Sequence, residues 1–233
     1  MHETSDYNSI RSIAYFIPAL ILTMAIRVGT SAFMVSPGKG ISNETLFRAE
    51  EGVPLALQLV EYILVVICFI FLYRLSDVHV WIDISNTMFL CYMLSSVAVR
   101  VVEWIAFKLD PNGVAEAAFL VAGEIPLIFI LLGVSFFTNG MRDVYPEILE
   151  KSKPKQKACV LARALWIIGM CLLILAELFL EIFILHLKTP STMPYRIISF
   201  VLVLLFILSG IPFTLRIQNF CYSYYMFCYN RGR

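Results

Sequence analysis

Charge is scarce in this chain. Only 15% of its 233 residues are Asp, Glu, Lys or Arg, against 60% apolar, and the mean hydropathy is +0.81. A soluble domain keeps roughly a quarter of its residues charged, so this composition cannot cover a water-facing surface and excludes the soluble globular classes. An excess of one sign is missing too. The 18 Lys and Arg stand against 17 Asp and Glu, and no basic aromatic stripe interrupts the apolar runs, which argues against a nucleic-acid partner. Histidine is down to three, His2, His79 and His186, so no span holds the paired axial ligands that a haem would need. The six cysteines match no zinc-site spacing, and none falls in a connection expected outside, which excludes an extracellular disulfide framework. GxSxG, HExxH and a phosphate-cradling glycine loop are absent as well. No cofactor is implied, and no metal site.

What the chain does have is six long apolar runs, at about 10–35, 54–75, 82–108, 115–138, 160–187 and 195–216. Each can cross a hydrocarbon core of ~30 Å, which takes about 20 helical residues. The runs are continuous and do not alternate with period two, so helices are expected and a barrel is not. The fold class read from the sequence is therefore all-α: a polytopic integral membrane protein, a bundle of about six transmembrane helices filling residues 1–233 as a single domain. No internal repeat or low-complexity tract divides it.

Orientation follows from the basic residues. The connection 139–158 carries Arg142, Lys151, Lys153, Lys155 and Lys157, and Arg163 follows it. With six spans, Arg11, Arg74, Arg216, Arg231 and Arg233 share that side, while Lys39, Arg48, Lys108, Lys188 and Arg196 lie opposite. The positive-inside bias places both termini in the cytoplasm, and the plasma membrane is the expected location. The first apolar run is too long, and preceded by too much acid (Glu3, Asp6), for a cleaved leader. Asn43-Glu44-Thr45 is a glycosylation sequon on the outer side. The aromatic tail from Asn219 to Arg233 is expected to lie along the cytoplasmic headgroups.

Against this background the charges inside the spans stand out, because a charge near the bilayer centre costs at least ~3 kcal/mol. Arg27 lies in the first span, Glu61 in the second, Arg100 and Glu103 in the third, Glu124 in the fourth, and Glu177 and Glu181 in the fifth. Counting 1.5 Å per residue puts all seven in the outer half of the bilayer. Arg100 and Glu103, three apart, share a helix face and can pair; they are expected to pack against the first and fifth spans. Glu177 and Glu181, four apart, also share a face, where two carboxylates repel and favour protonation of one. Gly123, Glu124 and Pro126 together read as a site wall, with glycine admitting a neighbouring backbone and proline disturbing the turn before it. Two arginines against five glutamates leave roughly three acids to be protonated, hydrated or occupied by something cationic.

In size, topology and depth of this polar layer, the chain resembles the substrate-capturing membrane subunits of energy-coupling-factor transporters, small six-helix proteins that bind vitamins from outside. The AxxxA pattern of their first span is absent, with Ala14, Ala19 and Ala25 spaced otherwise, and no residue role is carried over. In span number the chain also resembles the permease half of drug or bacteriocin exporters, in which a short cytoplasmic helix such as 77–84 would engage an ATPase. Three functions follow. The first is a solute-binding or transport-related subunit whose outward-facing acidic site takes a small cationic or amine-bearing ligand. The second is a structural or assembly subunit, partnered by an ATPase or another membrane subunit, whose charges form a buried salt-bridge network. The third is an intramembrane enzyme using acids such as Glu50 and Glu51, for which no complete constellation is present. In a background without other reactive thiols, cysteines at Ser42 and Pro190 should react with an impermeant reagent from outside intact cells, and Ser152→Cys should not; the reverse pattern would invert the topology.

Overall fold

The structure, a computed structural model, describes residues 3–38, 40–49, 51–148, 153–186 and 192–231; at 3–11, 117 and 231 it describes the backbone alone. The chain is an all-α polytopic bundle. Its helices are α1 (Glu3–Met34), α2 (Asn43–Ala49), α3 (Val53–Tyr73), α4 (Val80–Leu109), α5 (Ala117–Ile148), α6 (Lys153–Phe179) and α7 (Met193–Arg231). A π-helical stretch, Leu180–Leu185, continues α6. All but α2 are long and apolar enough to cross a membrane.

Short connections force neighbouring helices to run antiparallel, and each long helix packs on the next, α1 on α3, then α4, α5, α6 and α7 in turn. The ring closes where α7 returns to α1. Its outside is apolar: Leu94 is 64% exposed and Val121 63%, with Leu22, Ile63, Ile168 and Leu208 similarly placed on other helices. This inverts the pattern of a soluble protein and suits a bilayer, where such side chains meet hydrocarbon.

With no hydrophobic force to drive helices together in lipid, close backbone approach and polar contacts must hold the ring. Gly140 meets Ile82 so closely that an added Cβ would sit 2.7 Å from its side chain, and Gly133 meets Phe89 in the same way, at 3.0 Å. Gly169 lets α6 approach Ser209 and Phe206 of α7. Between helices, Ser85 Oγ donates to Gly133 O (2.7 Å), Trp166 Nε1 to Leu131 O (3.3 Å), and Arg163 Nη1 to Asn139 Oδ1 (2.8 Å).

Several expectations from the sequence need correcting. The supposed connection 139–158 is largely helix, since α5 runs on to Ile148 and α6 starts at Lys153; 149–152 lie outside the described residues. The cause is an apolar stripe, Met141, Val144, Tyr145 and Ile148, which is buried. The tail, as far as it is described, continues α7 unbroken, and Phe220 meets Phe137 and Tyr145 edge-on. No separate helix occupies 77–84: Ser76–Val78 is a single 3-10 turn, and His79 caps α4 by accepting from Trp81 N. Asn43, the sequon residue, opens α2 and donates its Nδ2 to Asp110 O.

At the end of the bundle that carries α2, Arg196 of α7 closes off α1. Its Nη1 donates to Ala32 O (3.0 Å) and Phe33 O (2.6 Å), its Nη2 to Val35 O (2.7 Å), and its Nε to Thr192 Oγ1 (3.1 Å). These are the carbonyls that the last turn of α1 leaves unpaired, at the negative end of the helix dipole. Replacing Arg196 by Leu should cost about 3 kcal/mol of stability, read as a lower midpoint of thermal unfolding in detergent. Arg196→Lys should recover only part, since an ammonium cannot span the carbonyls as the guanidinium fork does.

Candidate functional site

The seven charged residues singled out in the sequence converge. Measured along their helices, Arg27, Glu61, Arg100, Glu103, Glu124, Glu177 and Glu181 all lie about 6–14 Å from the helix ends nearest α2. Arg27 of α1 is the hub. Its Nε donates to Glu61 Oε1 of α3 at 3.0 Å, and its Nη2 lies 2.7 Å from Glu177 Oε1 of α6. Glu61 is fully buried, and Tyr92 of α4 donates to its other oxygen at 3.5 Å. One guanidinium thus ties three helices together, where the sequence reading had given it a single partner.

Arg100 pairs with Glu103 as its spacing predicts, Nη1 to Oε2 at 3.2 Å. Its packing differs from expectation. It reaches α2 instead of the first and fifth spans, with Nη1 also donating to Phe47 O (3.3 Å) and the guanidinium 4.3 Å above the Phe47 ring. A guanidinium is weakly hydrated and stacks readily on an aromatic face, which makes Phe47 the better neighbour. Glu103 does turn toward α1 and α6, and shares a cavity wall with Arg27, Glu177 and Glu181.

That cavity measures about 50 Å³ and is lined by Arg27, Arg100, Glu103, Glu124, Glu177 and Glu181 among others. Glu61 is behind the wall, held by Arg27. At ~10–15 Å³ for each water-sized sphere, the space admits only a few waters or a small ion. Drug-sized pockets run to ~300 Å³ or more, so a vitamin does not fit here. The carboxylates are spread around the wall, and among the described residues no group of three or more His, Cys, Asp or Glu converges as a metal-holding set.

Gly123 has a different role from the one its sequence context suggested. An added Cβ would meet nothing within 4 Å, so it is the cavity and not a neighbouring backbone that faces it. Helix α5 continues through Pro126 without interruption. The π-helical stretch carries Glu181, and its last carbonyls are taken up from outside the helix, Ile184 O by Gly38 N (3.4 Å) and Leu185 O by Gly40 N (2.8 Å). A turn of this kind is rare and often marks a functional position. Glu51, one of the acids considered for an enzyme, pairs with Arg48 at 3.7 Å on an exposed surface; Glu50 lies outside the described residues.

Gln58, Tyr92 and Ser96 also line the cavity and escaped the sequence reading. A signal was there: Tyr92, Ser96, Arg100 and Glu103 fall at i, i+4, i+8 and i+11, a single polar stripe along α4. No protein family, curated protein or solved structure matches this chain. The class defined by fold and composition is a multi-pass membrane protein.

The two ion pairs should differ in energetic weight. Arg27 is 8% exposed and pairs with two acids, so Arg27→Met should cost about 3–5 kcal/mol. The side chain of Arg100 is 21% exposed and borders the polar cavity, so its pair is less completely desolvated, and Arg100→Met should cost about 1–2 kcal/mol. Combining Arg27→Met with Glu61→Gln should recover part of the first loss. Equal melting temperatures for the two single variants would contradict the ranking.

Proposed function

We propose that this multi-pass membrane protein is a solute-binding or transport subunit whose acidic cavity takes a small monovalent cation, or the charged end of a compact amine, from the side that carries α2. The observation behind this reading is the charge balance of a very small space. Four glutamates and two arginines line a cavity with room for a few water molecules, a formal excess of two negative charges, and Glu61 adds another carboxylate behind Arg27. In a low-dielectric surrounding such an excess is relieved by protons or by a bound cation. The dispersed carboxylates and the small volume favour a singly charged ligand over a chelated divalent one. The distribution of Lys and Arg supports an outward-facing α2 end.

A second reading has support of its own. The fully buried Glu61 and its ties to Arg27 and Tyr92 are what an assembly subunit would use to lock its bundle. Such a protein would need no ligand and would lean on another membrane subunit or a cytoplasmic ATPase.

Cavity filling separates the two. Gly123→Leu puts a side chain into open space, and it replaces a poor helix former by a good one, so the ligand-free protein should melt no lower than the parent. Methylammonium or sodium should raise the melting temperature of the parent, because a ligand that binds only the folded state stabilises it. The shift should be lost in Gly123→Leu, be reduced in Glu124→Gln and Glu181→Gln, and fade as the pH falls, since protonation removes the charge that holds the cation. No ligand-dependent shift in the parent at any pH would favour the assembly reading.

A further inference from the structure

The acidic cavity is one of three spaces at this end of the bundle, and neighbouring spaces share wall residues. Outermost, between α2, the end of α1 and the loop after α4, is a vestibule of about 590 Å³ bordered by Met34, Ser42, Glu44, Arg48, Glu51 and Asn112. Next comes a chamber of about 40 Å³, formed by Val28, Ser31, Leu46, Leu180 and others. It has one residue in common with the vestibule, Ala49 at the C-terminal end of α2. With the acidic cavity it shares four: Arg27, Glu103, Glu177 and Glu181. Glu124 lines only the innermost space.

The geometry points to an entry route beneath α2, with Ala49 as its neck and selectivity by size set there, admitting a slender singly charged molecule that ends in a primary ammonium to the carboxylates behind and holding back one that ends in a trimethylammonium group. This rests on the reading of the acidic cavity as a cation site for the identity of what passes, though not for the existence of the path. The fold holds the neck in place from two directions. The N-terminal end of α2 is bound to the α4–α5 loop, Asn43 N donating to Gly113 O (2.9 Å) and Glu44 N to Pro111 O (3.1 Å), with Ala115 N donating to Ile41 O (2.9 Å). Along α2, Phe47 stacks on Phe107 at 5.1 Å and lies under the Arg100 guanidinium, while Leu46 is buried toward the chamber. At its far end Gly52, at φ 78°, turns the chain into α3. A wide outer space, a neck bounded by a methyl group, and two chambers with room for a few waters each restrict hydration of whatever enters, and the carboxylates beyond the neck favour a cation over a neutral molecule. Arg27, the hub of the ion-pair network, lines both inner spaces, so a cation passing through is in reach of Glu177 and Glu181 before Glu124.

Thiol accessibility tests the route on the whole protein, with Cys91, Cys171 and Cys228 replaced by Ser and the three buried cysteines left in place. Ser31→Cys in the chamber should react with 2-aminoethyl methanethiosulfonate. It should react at least tenfold more slowly with the bulkier trimethylammonium reagent, whereas Asn112→Cys in the vestibule should take both. Adding Ala49→Phe should slow the aminoethyl reaction of Ser31→Cys at least tenfold and leave Asn112→Cys unchanged; Ala49→Val, a smaller intrusion, serves if the Phe variant does not run as a folded monodisperse species, and should give a lesser slowing. An unreactive Ser31→Cys, equal rates with the two reagents, or rates indifferent to both changes at Ala49 would overturn the route. Labelling needs no bound cation, so it is independent of the methylammonium shift. An intact shift with labelling indifferent to Ala49 removes the route alone, and neck-dependent labelling with no shift removes the cation-site reading alone.

Discussion

A guanidinium shared between two carboxylates, Arg27 with Glu61 and Glu177, organises the end of the bundle that carries α2. Each of these groups loses several kcal/mol of hydration on leaving water, and in a dry interior only close, well-directed pairing offsets the loss. The requirement propagates. It draws α1, α3 and α6 to a common height, and it brings the Tyr92 hydroxyl of α4 onto Glu61. Because an ion pair tolerates little displacement, the polar layer is held at one depth although the apolar contacts around it would allow sliding.

The rest of the bundle is built to leave that layer undisturbed. Toward the opposite end, helices close on one another through Gly140 against Ile82 and Gly169 against Ser209, and through large buried rings such as Trp166, Tyr145 and Phe206. The charge-bearing end is packed differently. There Gly123 faces open space and the π-helical turn of α6 carries Glu181, so a small polar hollow persists where a leucine or an ordinary helical turn would fill it. Arg196, set across the end of α1, keeps this end closed at the α1–α7 seam. Ala49 of the short helix α2 borders both the vestibule and the chamber that adjoins the hollow.

Reading along the chain identified the six spans, the common height of the charges and the Arg100–Glu103 pair, because each depends on local composition or on spacing within one helix. It stopped α5 too early, although Met141, Val144, Tyr145 and Ile148 repeat at helical intervals; the basic residues from Arg142 to Lys157 suggested a connection. It assigned Gly123 to helix packing, since nothing local distinguishes a glycine that faces a neighbour from one that faces a void. Gln58, Tyr92 and Ser96 passed unnoticed because each is an ordinary residue in a membrane helix until others meet it.

The sequence alone determined that this protein is a helical bundle with six spans and that its intramembrane charges share one layer, since hydrophobic length and a rise of 1.5 Å per residue require no knowledge of neighbours. Which acid Arg27 takes, that it takes two, that Arg100 lies on Phe47 of α2, and that the hollow is so small are matters of helix rotation and of the order of helices around the ring. Those depend on contacts between residues far apart in the chain, such as Arg27 with Glu177, and only the tertiary structure decided them.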